Sequence, residues 1–253
     1  MFVITADQID SRNDRDRAGE MIAQLTADLG QAFSLPADQT SGDEIQILMP
    51  TARAAVTTIL ALHRSGFWSI GLGVGSVRLP LPVATRQATG GAFIAARTAV
   101  TRAKKTDARF ALNVQASVPE PVSRDGKDEG AASDGAVDDG SAVVECGSSG
   151  RGAASVNAVV SAPESFEAVE VEALLAMLLL LRQRRSPEGW EATDLLGQGL
   201  PQVEIAGILG ISTAAVSQRV KSALWRVDEA ARPALVRLLE NLDRALSETD
   251  PAE

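Results

Sequence analysis

At 253 residues the chain can build one large domain or two modest ones, with cores that are aliphatic, since 45% of residues are hydrophobic but only 4% aromatic and none is Tyr. A single cysteine, Cys146, excludes an internal disulfide and a cysteine zinc cluster, and a single histidine, His63, excludes paired-histidine metal sites; carboxylates remain as metal ligands, which favours Mg²⁺, Mn²⁺ or Ca²⁺. The net charge of −9 divides as +2 over residues 1–117, −5 over 118–163 and −6 over 164–253, so bulk charge does not advertise a nucleic-acid binder.

The start, "MFVITADQID", has neither a basic segment nor a long apolar stretch, and the longest apolar run, Ala173 to Leu181, is too short to span a bilayer. A cytoplasmic protein without a membrane partner is expected. "FVITA" (Phe2–Ala6) has strand length, and Met21, Ile22, Leu25 and Leu29 form a helical stripe within 15–31. A tight turn at Ser41-Gly42 leads into "DEIQILM" (43–49), whose alternation reads as a strand. A helix follows Pro50 and closes at Gly66, whose freedom at positive φ suits a helix end. "FWSIGLGVG" (67–75) is a strand in which glycine alternates with Ile70, Leu72 and Val74. "GGAFIAARTAVTRAKK" (90–105) is a helix and "RFALNVQA" (109–116) a further strand. This β-α-β-α-β-α-β order predicts an α+β domain over 1–117, with helices covering a mixed sheet.

From 118 to 163 the chain is rich in Gly, Ser, Ala and Asp without periodicity, which predicts an acidic linker or insertion, with a short strand at "SVNAVVS". Residues 164–253 read as an all-α domain: an apolar helix over 164–185 ending in "RQRR", a shorter one started by Pro187, two more within 201–227, and an amphipathic last one over 229–246. In that last helix Leu235, Leu238, Leu239, Leu242 and Leu246 fit either a dimer seam or ordinary core. "RQRR" (Arg182, Arg184, Arg185) reads as a solvated helix end or a phosphate contact.

Residues 202–224 carry the strongest pattern. Ile205, Ala206 and Leu209 share a face, Gly210 suits a turn of positive φ, Ser212 is a natural N-cap, and Val216 and Val220 are one turn apart. The spacing resembles the helix-turn-helix of sigma-factor region 4, "xxEIAxxLGISxxxVSxRx". The resemblance implies that the second helix enters the major groove of double-stranded DNA with Thr213, Ala214, Ser217, Gln218 and Lys221 outward and Arg219 near the backbone. Gln218 suits a bidentate adenine contact, and Ser217 and Thr213 suit phosphate or single-atom base contacts. A helical pair used only for packing or protein contact is the plain alternative.

Four features of the first part recur in order: the strand ending in Asp7, the "GDEIQ" turn, "IGLGVG", and "GGAFIAAR", with Ser11-Arg12 between the first two. Together they resemble the SatD family, and through it the nucleotidyl cyclase and GGDEF domains with their ferredoxin-like core. The resemblance implies a ferredoxin-like, nucleotidyl cyclase-like N-terminal domain ahead of the helix-turn-helix domain. It also implies Mg²⁺ held by Asp7 and Asp43 on a purine nucleotide, Glu44 adjoining, and Arg97 on the helix. Phe93 stands where cyclases carry an asparagine, and Gln8 follows Asp7, so a nucleotide sensor is expected rather than a turnover enzyme. The expected protein is a DNA-binding homo-oligomeric regulator. A metal-dependent nucleotide enzyme and a protein assembly module are its rivals. "GLGVG" is no dinucleotide fingerprint, because no helix follows at the required offset. His63 reads as a partner of a helix C-terminus and Cys146 as an unreactive thiol.

Overall fold

The computed structural model describes residues 1–40, 42–115 and 166–248; Cys146 and the expected strand at "SVNAVVS" lie outside the described residues. Residues 1–115 alternate strands and helices: β1 (Phe2–Gln8), α1 (Ala18–Leu29), β2 (Asp38–Gln39), β3 (Glu44–Met49), α2 (Ala52–Ser65), β4 (Trp68–Gly75), α3 (Gly91–Ala103) and β5 (Phe110–Gln115). The strands form one sheet in the order β2-β3-β1-β4-β5, antiparallel throughout except for the parallel β4–β5 pair. The described residues from 166 onward are helical: α4 (Phe166–Gln183), α5 (Pro187–Gly197), α6 (Gln202–Leu209), α7 (Thr213–Ser222) and α8 (Trp225–Glu248). The architecture is therefore a mixed α+β region followed by an all-helical one.

Alternation along the strands sorts side chains onto two faces. Phe2, Ile4 and Ala6 stand opposite Met49, Ile47 and Ile45 on β3 and Val74, Leu72 and Ile70 on β4. All of them enter one core, which α1 and α2 cover and which α4 and α8 complete with Leu175, Leu178, Leu179, Leu235, Leu239 and Leu242. Thr51 caps α2 by accepting a hydrogen bond from the Ala54 amide at 3.2 Å, and Gly66 closes it at φ 79°. The two regions thus share one hydrophobic core. Of the leucines on α8, Leu238 alone stays exposed, while Leu246 packs against the rim of that core. The others serve as core.

The opposite sheet face is narrow. Val3 and Leu48 pack with Ala92, Phe93 and Ala96 of α3. Beside them β4 presents Gly71 and Gly73, where a Cβ would collide with the α3 backbone; at Gly71 it would lie 2.7 Å from the Val100 Cα. Glycine in that strand is a spacing device, letting helix backbone rest directly on sheet backbone. Phe93 is accordingly core.

One boundary departs from the sequence reading. The last helix begins at Trp225 rather than at 229: Leu224 adopts φ 52° after α7 ends at Ser222, and α8 then runs unbroken through Pro233. A leucine gives no residue-type signal for a left-handed helix end.

Candidate functional site

α6 and α7 meet at Gly210, which takes φ 65° and lets the Ile211 amide donate to the Ala206 carbonyl at 3.0 Å. Ser212 then caps α7, its hydroxyl accepting from the Ala215 amide at 3.2 Å. Ile205 and Ala206 of α6 close on Val216 and Val220 of α7 and on Ala192 of α5, forming a small core of their own. This packing fixes which way α7 faces. Thr213, Ala214, Ser217, Gln218 and Lys221 are all exposed, while Arg219 is half-buried and ion-paired with Glu191 of α5 at 3.3 Å. Gln218 reaches along its own helix to the Ser222 hydroxyl at 3.4 Å. The face is polar and weakly basic: Lys221 and the nearby Arg226 supply charge, and Ser217 and Lys221 edge a hollow of about 310 Å³ beside Leu224 and Trp225.

At the other candidate site, register places Glu44 rather than Asp43 directly opposite Asp7, so Asp7 and Glu44 share the sheet face that α3 covers. Asp43 sits in the turn and offers its backbone carbonyl to the Gln8 amide at 3.2 Å. Lys104, just past the end of α3, donates to the Asp7 carboxylate at 2.7 Å, and the Thr40 hydroxyl donates to Glu44 at 2.7 Å. A cation on Asp7 and a hydroxyl on Glu44 thereby offset the charge of the two acids that β1 and β3 set opposite each other. Gln8 turns to the other face, accepting from the Arg17 amide and donating to the Arg15 carbonyl. Arg97 lies exposed two turns before Lys104, beside Thr98, Thr101, Arg102 and Lys105 on the outer side of α3. Among the described residues no group of three or more His, Cys, Asp or Glu side chains converges as a metal site. A Mg²⁺ ion at these two carboxylates would need other ligands, such as phosphates, to complete its coordination, and Asp7 would have to give up Lys104.

A third cluster escaped the sequence reading. Asp228, in the first turn of α8, is fully buried, and three guanidiniums converge on it: Arg182 at 2.5 Å, Arg185 at 2.7 Å and Arg232 at 2.9 Å. Burial pushes the Asp228 carboxyl up, but hydrogen bonds from Arg232 and Arg185 and the charge of Arg182 outweigh it and leave the pKa below the ordinary value. Burial and the neighbouring arginines pull Arg182 down to about 10 despite Asp228. Arg64, Arg182 and Arg185 also crowd the Trp190 ring, at 4.4, 4.9 and 4.7 Å from its centroid. Thus "RQRR" is neither a solvated end nor a phosphate patch, since only Arg184 of its arginines is exposed. His63 lies beside this cluster in the last turn of α2, where burial first and the Arg182 charge second lower it to about 4. It is therefore neutral at pH 7 and no counter-charge to the helix end. The cluster floors a cleft of about 850 Å³ bounded by α1, α2, α5 and α8 and edged by Arg53, Arg64, Trp190 and Trp225.

Among the described residues no helix is long and apolar enough to cross a membrane. No family model matches the chain, and neither curated proteins nor solved structures return a match.

Proposed function

We propose that the chain is a DNA-binding transcriptional regulator of SatD type, homo-oligomeric, whose α6–α7 pair is a helix-turn-helix and whose sheet domain is ferredoxin-like and cyclase-like. The carrying observation is the α7 face: five of the six residues assigned to DNA are exposed together, on a helix locked by Val216 and Val220 and started by a capped turn. In this reading α7 lies in the major groove, Gln218 reads a base edge and Lys221 meets phosphate. The strand order β2-β3-β1-β4, with β1 antiparallel to both neighbours, supports the ferredoxin-like assignment.

The test is selection of genomic duplex fragments with the purified chain, followed by gel shifts across a salt series. The expected result is enrichment of a discrete sequence, a binding constant that falls with salt, and a loss of about 1–3 kcal/mol for Gln218→Ala that is confined to the selected sequence. Absence of duplex binding even at low ionic strength removes the reading.

The sheet domain's part in it is to sense a purine nucleotide with Mg²⁺. Asp7 and Glu44, with Asp43 beside them, would hold the ion, and the ion would neutralise the phosphates. Lys104 must leave Asp7 for that, so Lys104→Ala tightens Mg²⁺-GTP or Mg²⁺-ATP in a calorimetric titration, and Asp7→Asn abolishes the heat. A second reading, a protein assembly module, draws on the −9 net charge and on the tie between Arg219 and Glu191. In that case Gln218→Ala and Lys221→Ala leave function intact.

A further inference from the structure

α4 buries one side and leaves the other uncovered among the described residues. Ala168, Val171, Leu175, Leu178 and Leu179 enter the sheet core, whereas Ala173, Leu174, Met177 and Leu180 stay exposed, Met177 at 65%. At about 100° per residue, positions 170, 173, 174, 177, 180 and 181 fall within about 60° of Met177 and form one stripe along the helix, and Arg184 follows in the turn just past its end. Leu238 of α8 extends it sideways, lining a hollow of about 560 Å³ with Leu174 and Glu170. A contiguous exposed apolar stripe of this length marks an interaction surface.

The order of residues along the stripe identifies the partner. An acid, Glu170, stands at one end and a base, Arg184, at the other, both exposed and without an ion pair in the described residues. Turned end for end about Met177, the stripe meets its own complement: Glu170 faces Arg184, Ala173 faces Leu181, Leu174 faces Leu180, and Met177 faces itself. An isologous contact requires this, the same patch on both sides with residue i on j and j on i. We infer that α4 is the homodimer surface of this chain, two copies packing antiparallel across a twofold axis at Met177, with apolar contacts at the centre and a Glu170–Arg184 pair at each end. This gives the proposed oligomer its surface; it is read without DNA, so that it and the DNA reading can fail separately.

The full-length chain carries the test. In a Cys146→Ser background, Met177→Cys places two thiols at the axis, and mild oxidation is expected to give a covalent dimer on a non-reducing gel. Sedimentation of the Cys146→Ser chain itself is expected to show a monomer–dimer equilibrium. Glu170→Arg or Arg184→Glu alone sets like charges against each other twice per dimer and weakens it about tenfold or more, and the double reversal restores it. Glu170, Met177 and Arg184 are exposed, so circular dichroism is expected to be unchanged when they are replaced. The inference is overturned by a monomer at every concentration, by a dimer indifferent to both reversals, or by a double reversal no better than the singles. It is equally overturned if Met177→Cys with Cys146 retained yields an intramolecular disulfide in a monomer, which makes the chain's own 116–165 stretch the cover of the stripe.

Discussion

The sheet core and the α5–α7 cluster are built from different materials. Beneath the sheet the buried side chains are aliphatic or aromatic, and the buried polar ones on the strands (Thr5, Gln8, Gln46, Ser69) carry no charge. Among the described residues the buried charges are Arg182, Arg185 and Asp228, and all three lie where α4, α5 and α8 meet. The reason is size. The cluster's own core has five buried side chains, Ala192, Ile205, Ala206, Val216 and Val220, with Leu195, Leu196, Leu200, Leu209, Ile211 and Trp225 only partly buried against them, a small apolar area for three short helices. It is tied to the larger body by directional contacts as well: Arg185, paired with Asp228, donates to the Ala223 carbonyl at the end of α7 at 2.7 Å, Trp190 of α5 packs against Arg64, Arg182 and Arg185, and Arg64 pairs with Asp194. A sheet core tolerates loss of a contact by repacking; a charge network does not, since removing one partner strands the others.

The largest expected effect tests the sheet side. Gly73→Val drives a branched side chain into the Ala92 carbonyl and Ala96 amide of α3, backbone that cannot step aside. Loss of the cooperative fold is expected, more than about 4 kcal/mol, read as absent thermal transition. Gly19→Ala in α1, where an added Cβ meets nothing within 4 Å, is the matched control and leaves stability unchanged or slightly raised.

Next comes the network. Asp228→Asn is expected to cost about 3–5 kcal/mol, because three guanidiniums lose their shared anion in a buried site. The comparison sharpens if hydrogen exchange rises in α5–α7 before the sheet. If both regions lose protection together, the network belongs to one cooperative body and the distinction falls. Acid has the same target: the Asp228 pKa is depressed, so its contribution is present in full above the ordinary carboxylate value near 3.8 and is lost as pH falls below that.

These two regions also differ in how far their residues announced them. A short apolar run in "FVITA" and alternation in "EIQILM" and "WSIGLGVG" marked the strands, because strand length and a period of two are local properties of a sequence; burial on both faces, which all three show, left no such mark. Gly210 and Ser212 marked the turn before α7 for an equally local reason: one backbone angle and one cap. The Asp228 network was illegible, since Arg182 and Arg185 lie 46 and 43 residues from Asp228 along the chain and "RQRR" looks the same whether solvated or buried. Lys104 on Asp7 was hidden likewise, joined across 97 residues by a fold that only the finished sheet defines. Local physics leaves a pattern; long-range pairing of charges leaves none.

A smaller effect sits at the seam between the regions. His63 is neutral in the fold down to about pH 4, whereas in the unfolded chain it charges near 6.5. The unfolded state therefore binds the extra proton between those values, and stability that is complete above 6.5 declines as pH falls toward 4. The decline is about 2 kcal/mol at most after allowing for partial exposure. His63→Gln flattens that limb of the pH–stability curve while leaving the acid limb of Asp228 in place, a separation that urea titrations at stepped pH resolve.

The smallest effect is the most diagnostic, because the chain contains a matched pair of helix caps. Thr51 starts α2 and Ser212 starts α7, each accepting from the amide three residues on at 3.2 Å. Replacing either by Ala removes one capping bond and costs about 1 kcal/mol. The two losses differ in where they appear. α2 is packed into the sheet core, so Thr51→Ala lowers the midpoint of the whole transition. α7 opens against a small core with five buried side chains, so Ser212→Ala raises exchange in α7 amides and leaves the sheet's midpoint where it was. Equal shifts in both variants would mean that α5–α7 melts only with the rest. The α7 face would then be held rigid by the entire molecule rather than by its own small core.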